Sequence, residues 1–230
     1  MMFRVWRRVF IAAHFAACLT AAFCATNCHY RRISIERMRL AGARVTLVPP
    51  SQKWWAHLTS QFQEPFWPVR RITLDGVDIC NSVPEPQVGE CIDSIAVALK
   101  RIHFANELVI CRCSLGPQDV EVLGTLRGIE SISIVDCRIT TNDLSPLMLI
   151  RGLREIDLCG SNVNDSAIES LGQMAGVSSL DLGFSEISNQ TVLNLRGCQS
   201  LEFVNLQGTN CSRAAINKFQ QSRPGTKVMF

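Results

Sequence analysis

An α/β repeat solenoid is the fold class that this sequence predicts, and three observations carry the prediction. One apolar frame returns at a fixed spacing, with Leu108, Ile132, Ile156, Leu180 and Val204 each 24 residues apart. A second apolar stripe follows each copy of the frame at helical spacing, as in Val120, Leu123 and Leu126. Polar helix starters and turn glycines recur between the two at the same period. A self-similar period in this range means stacked supersecondary units, because one unit cannot enclose its own apolar face.

The frame reads apolar, two variable, apolar, one variable, apolar, two variable, small, one variable, apolar. Ile129-Glu-Ser-Ile132-Ser-Ile134-Val-Asp-Cys137-Arg-Ile139 is one copy. The alternation through Ile132 and Ile134 predicts a short parallel strand with those two side chains inward and their neighbours on the opposite face. Thr140, Asn164, Ser188 and Ser212 stand where each following helix needs an N-cap. Gly128, Gly152 and Gly176 let the chain turn into the next strand. The helix stripe continues through Leu144, Leu147 and Ile150, then Ile168, Leu171 and Met174, then Val192, Leu195 and Cys198, then Ile216 and Phe219. Cys198 takes an apolar site in that series and reads as core filler.

Following the stripe upstream exposes a sixth unit. Ile72, Leu74, Val77 and Ile79 fit the frame, yet Leu108 lies 36 residues after Ile72. Ala96, Leu99 and Ile102 keep the helix register, so about 12 extra residues fall between Ile79 and Ala96. The Pro-containing stretch 80–91 has loop composition and is assigned as an insertion. Cys80 and Cys91 flank it. They are expected either to close the loop as a disulfide or to stay as two free thiols.

The N-terminal part has a different character. Residues 1–71 carry 11 Lys and Arg against Glu36 and Glu64, giving +9, while the rest of the chain carries −6. Arg4, Arg7 and Arg8 precede an apolar run, Val9 to Ala25. Residues 1–28 are therefore read as an apolar anchor helix, a single-pass signal-anchor, with cleavage as a signal peptide and a secreted form as the alternative. The far-side arginines balance the near-side ones, so the side of the membrane on which the body lies is left open. Residues 29–43 read as a basic juxtamembrane helix or a solvated linker. Residues 44–69 form an N-terminal cap, with a strand from Arg44 to Val48 and an aromatic helix carrying Trp54, Trp55, Leu58 and Phe62. Residues 70–230 are the repeat domain.

At the quoted frame the chain resembles the bacterial leucine-rich repeat proteins with 24-residue units. The resemblance extends to Val163-Asn-Asp165-Ser-Ala-Ile168 and to the ending from Phe219 to Phe230. The segment Ile35 to Val45 is similar to the one that follows the anchor in membrane-bound members. A weaker similarity, through Ile110-Cys-Arg-Cys113, is to ATP-synthase subunit-s-like proteins. The resemblance implies about six repeats, a concave parallel sheet, convex helices, and a role in binding and assembly without catalysis. Cys113, Cys137, Ser161, Ser185 and Thr209 occupy the ladder site where many such proteins carry Asn. Hydroxyls can still bond turn backbone there, whereas thiols do so weakly, so the first two steps are expected to be looser.

Chemistry-bearing motifs are scarce. Cys111 and Cys113 fall on opposite strand faces and should not chelate together. Cys24 to His29 has one residue too many for haem attachment. No nucleophile–base–orienter set, phosphate-cradling glycine loop or zinc-type spacing is present. The sequence thus argues against an enzyme and implies no metal and no cofactor. The outward strand face supplies the candidate binding residues: Glu107, Val109, Glu155, Asp157, Asp181, Phe203 and Asn205. It reads either as a platform for a polar or basic protein segment or as a solvated sheet face. No nucleic acid or small-molecule substrate is indicated. Two function classes follow. One is a membrane-tethered protein-interaction scaffold. The other is an intracellular or organellar adaptor or assembly factor whose N-terminus is a targeting sequence.

Overall fold

A computed structural model describes residues 35, 39, 43–47, 69–75, 106–171 and 176–230. The apolar run, the aromatic cap helix, the insertion, Met174, and Cys80 with Cys91 lie outside the described residues. Among the described residues, no helix is long and apolar enough to cross a membrane.

Among the described residues the strands are β1 (Arg44–Leu47), β2 (Val69–Asp75), β3 (Glu107–Cys111), β4 (Ser114–Leu115), β5 (Ser131–Val135), β6 (Arg138–Ile139), β7 (Glu155–Asp157), β8 (Ser179–Asp181), β9 (Phe203–Asn205) and β10 (Lys227–Met229). Eight of them form one sheet in the order β1-β2-β3-β5-β7-β8-β9-β10, and β4 pairs with β6 in a second. β1 runs antiparallel to β2, and every later pair in the large sheet is parallel. Leu108, Ile132, Ile156, Leu180 and Val204 stand directly beside one another across the sheet, and Ile72 extends that row at one end. The α/β class with a parallel sheet is the expected one, and equal spacing along the chain becomes lateral register because each turn consumes the same length.

Among the described residues after β3, four α-helices return the chain: α1 (Pro117–Gly124), α2 (Asp165–Ser170), α3 (Asn189–Asn194) and α4 (Arg213–Ser222). Val120, Leu123, Ile168, Val192, Leu195, Ile216 and Phe219 lie buried against the inward strand side chains. Apolar burial on the scale of one full side chain, about 1.5–3 kcal/mol each, holds each turn to its neighbours. The Asn164, Ser188 and Ser212 side chains accept from N–H groups of the first turns of α2, α3 and α4.

The expected cap at Thr140 is not formed. Its hydroxyl donates to Leu115 O of the preceding repeat at 3.1 Å. No α-helix starts there; a 3₁₀ helix runs from Ser145 to Leu149 instead. Pro146 sits at its start and removes a backbone donor, which shortens what an α-helix could gain from this segment. Leu144, Leu147 and Ile150 are buried all the same. The apolar spacing therefore located the packing contacts while misjudging the local helix type.

Gly124 fits against this 3₁₀ segment. A Cβ at position 124 would overlap the Pro146 carbonyl and stand 2.9 Å from its carbon. Because the obstacle is backbone, Gly124→Ala is expected to cost about 1–3 kcal/mol by forced overpacking. The check is the chemical-denaturation midpoint at an unchanged slope.

A candidate binding face and its strand-end rim

The outward side chains form rows set by the sheet register. Near the strand starts, Glu107, Ser131, Glu155, Ser179 and Phe203 follow one another; one step along are Val109, Ser133, Asp157, Asp181 and Asn205. All seven predicted face residues thus share one surface, but they differ in availability. Glu155 is exposed, and Glu107, Val109, Asp157, Asp181 and Phe203 are half-buried.

Asn205 is a correction. It is buried, and its amide donates to both Asp181 carboxylate oxygens at 3.0 and 3.1 Å. Its Oδ1 accepts from Gln207 N at 3.0 Å, so the side chain serves the fold and has little left for a partner. The β9–β10 pairing places Met229 beside it on the same row.

Glu107 is also engaged. Arg71 reaches it through two bonds, Nε at 2.7 Å and Nη2 at 2.6 Å. That bidentate contact holds the Glu107 carboxyl below its usual range against the opposing effect of burial. Around the strand starts, a cleft of about 240 Å³ is lined by Arg70, Asn106, Glu107, Glu130, Arg154 and Glu155. Its three acids stand among two arginines, with Arg71 paired to Glu107 beside them, so this rim presents little net field.

The opposite rim is different. Asp157 Oδ1 accepts from Cys159 N at 3.0 Å and Asp181 Oδ1 from Gly183 N at 2.9 Å. These turns fix the carboxylates at the strand ends. Burial pushes the Asp157 carboxyl up, and the negative charges of Asp181 and Asp136 push it further, outweighing the Cys159 N–H.

Just beyond lies a row that the sequence reading missed. Arg112, Asp136, Gly160, Phe184 and Gly208 are spaced by 24 and all adopt left-handed φ, at 54°, 52°, 70°, 56° and 67°. The N–H of each of the first four donates to a carbonyl of the next repeat: Val135, Cys159, Gly183 and Gln207. In those four turns the left-handed bend goes with a satisfied backbone donor, even at non-glycine positions. Two glycines at this period were visible in the sequence; a left-handed Phe or Arg leaves no compositional mark.

Side chains in the row lean onto their neighbours. Arg112 pairs with the Asp75 carboxylate. The Asp136 carboxylate fills the space that a Cβ at Gly160 would need. The Phe184 ring lies over Gly208, where a Cβ would come within 2.5 Å of Cδ1. Phe184 nevertheless remains 66% exposed. This rim therefore joins a held, exposed aromatic ring to three carboxylates.

Comparison with known proteins adds little to this geometry. No protein-family model matches the chain, and no curated protein matches it. Among solved structures, a leucine-rich repeat protein of Leptospira interrogans is similar at 13% identity over 58% of this chain and 33% of that one, with a TM-score of 0.42. An internalin of Listeria monocytogenes is similar at 14% identity over 57% of this chain and 43% of that one, with a TM-score of 0.39. The chain spans less than half the length of either protein. The architecture accordingly rests on its own strand register.

The ladder site behaves unevenly. Ser161 bridges two repeats, accepting from Cys137 N at 3.0 Å and donating to Ile134 O at 2.8 Å. Cys137 also bridges, with Cys113 N at 3.5 Å and Ile110 O at 3.6 Å. Ser185 and Thr209 instead donate to Leu182 O and Leu206 O of their own turns. The hydroxyls bond turn backbone more closely than the Cys137 thiol does, but Ser185 and Thr209 do so within their own turns and not between repeats. Leu158 O, the site Ser185 would need, is taken by Ser161 N at 3.2 Å, and Leu182 O is then taken by Ser185. Among the described residues, no group of three or more His, Cys, Asp or Glu is placed to hold a metal ion.

Proposed function

We propose that this chain is a non-catalytic, leucine-rich-repeat protein-interaction scaffold, held to a membrane by its N-terminal apolar segment. Its strand face and strand-end rim receive a polar or basic segment of a partner protein. The observation that carries this reading is Asp157. Its carboxyl is half-buried beside Asp181 and Asp136, an arrangement that disfavours its own charge. A basic group docked there would relieve the repulsion, and Phe184 supplies an adjacent apolar contact.

The experiment is a pull-down with the full chain from solubilised membranes, comparing the parent with Asp157→Lys combined with Asp181→Lys. The proposal expects capture of the main partner to fall at least tenfold, with the circular dichroism spectrum retained. Unchanged capture by a folded variant would sink it. Sequencing the mature N-terminus tests the tether separately. An intact segment at 9–25 supports anchoring, and its removal favours the adaptor or a secreted form.

A further inference from the structure

We propose that Cys113 and Cys137 are a covalent modification site, closing into an intrachain disulfide that joins consecutive repeats when the chain folds in the presence of a small-molecule disulfide. This inference does not depend on what the strand face binds. The two residues are bracketed by register on both sides. Cys111 pairs with Val135 just before them, and Ser114 with Arg138 just after. Bracketing of this kind holds the two backbones one strand spacing apart, about 4.7–4.9 Å. That separation lies inside the Cα window of disulfides, roughly 4.4–6.8 Å. Both side chains enter the same buried column, at 5% and 3% exposure. Cys113 N already reaches Cys137 Sγ at 3.5 Å.

The two thiols are chemically unequal. Their mutual hydrogen bond and burial push Cys113 up, while the same hydrogen bond holds Cys137 down against burial. While the chain is still folding, the thiolate of Cys137 attacks one sulfur of the small disulfide and displaces the other as a thiolate, leaving a mixed disulfide on Cys137. Cys113 then attacks Cys137 Sγ and releases the second small thiol. The two cysteines lose two electrons and two protons; the small disulfide gains both and becomes two thiols. Cys111, the nearest competitor in sequence, sits on the opposite strand face and is half-buried there. Ladder neighbours further on are Ser161, Ser185 and Thr209, so the column offers this one pair of sulfurs among the described residues.

The full chain in mild detergent would be refolded from denaturant in a glutathione redox buffer, so that every thiol is reachable before the fold selects its partner. After blocking free thiols, trypsin cleavage isolates Cys113 in peptide 113–127 and Cys137 in peptide 128–138, each with a single cysteine. The expected result is a covalently linked pair of these peptides replacing both alkylated forms. Cys137→Ser should leave Cys113 free and alkylated. Recovery of the two parent peptides separately, or joined to other cysteines, from refolded protein would overturn the proposal.

Discussion

Replacing Phe219 by Ala lowers the stability of the fold by about 3–5 kcal/mol. Phe219 is the largest of the fully buried side chains among the described residues and has no exposed surface. It stands on α4, the last helix, and closes the core beneath β9 and β10. The lost ring leaves a cavity that only one neighbouring turn is placed to fill, because a solenoid packs each unit against adjacent ones alone. The destabilisation should therefore start at the C-terminal end. Hydrogen exchange would check this: amides of β9 and α4 should lose protection before those of β3 and β5. Uniform loss along the whole chain would contradict the nearest-neighbour picture.

Asp165→Ala is the second large effect, at about 2–4 kcal/mol from the loss of several acceptors at once. Asp165 belongs to α2 yet serves the next repeat. It accepts from Ser188 N at 2.9 Å, Ser188 Oγ at 2.6 Å, Thr191 N at 3.1 Å and Thr191 Oγ1 at 2.5 Å. One carboxylate thus organises the N-terminus of α3, whose orphan donors and positive dipole end favour it. Thr191 is fully buried, so its hydroxyl has no water to fall back on.

The same contact gives a pH dependence of known sign. Burial alone would raise the Asp165 carboxyl, but the bonds from Ser188 and Thr191 outweigh it and hold it below the ordinary value. A depressed folded-state pKa means that the unfolded chain binds more protons in the window between the two values. The stabilisation is full above the ordinary aspartate range, about pH 4, and fades as pH falls through the depressed value. Acid titration of the unfolding midpoint should show a shallower decline for Asp165→Asn than for the parent. Identical slopes would remove Asp165 as a contributor.

These two residues also show how legible the chain was. Phe219 could be placed by arithmetic: it falls on the helix stripe with Ile216 and extends a register begun at Val120. Asp165 was visible only as part of a family-like segment, and its partners lie 23 and 26 residues away in the next turn. Asn164, Ser188 and Ser212 are caps because their bonds are local. Thr140 is not, because Pro146 delays the helix and the hydroxyl finds Leu115 O across the stack. The candidate face divides in the same way. Strand alternation placed Asp157, Asp181 and Phe203 on one surface. Only contact geometry revealed that Asn205 is consumed by Asp181 and Gln207, and that Glu107 is tied to Arg71.

The left-handed row separates the two kinds of knowledge most sharply. Period and alternation, which depend on residue type alone, determine that the chain repeats every 24 residues and which side chains point inward. They cannot say that Arg112, Asp136 and Phe184 share a backbone conformation with Gly160 and Gly208. At the first four positions that conformation accompanies a hydrogen bond to the neighbouring repeat, a partner that exists only after stacking. Hence the sequence by itself determined the sheet, its register and its core. The tertiary structure decided which outward groups remain available, because satisfying buried donors and acceptors between turns is a property of neighbours in space.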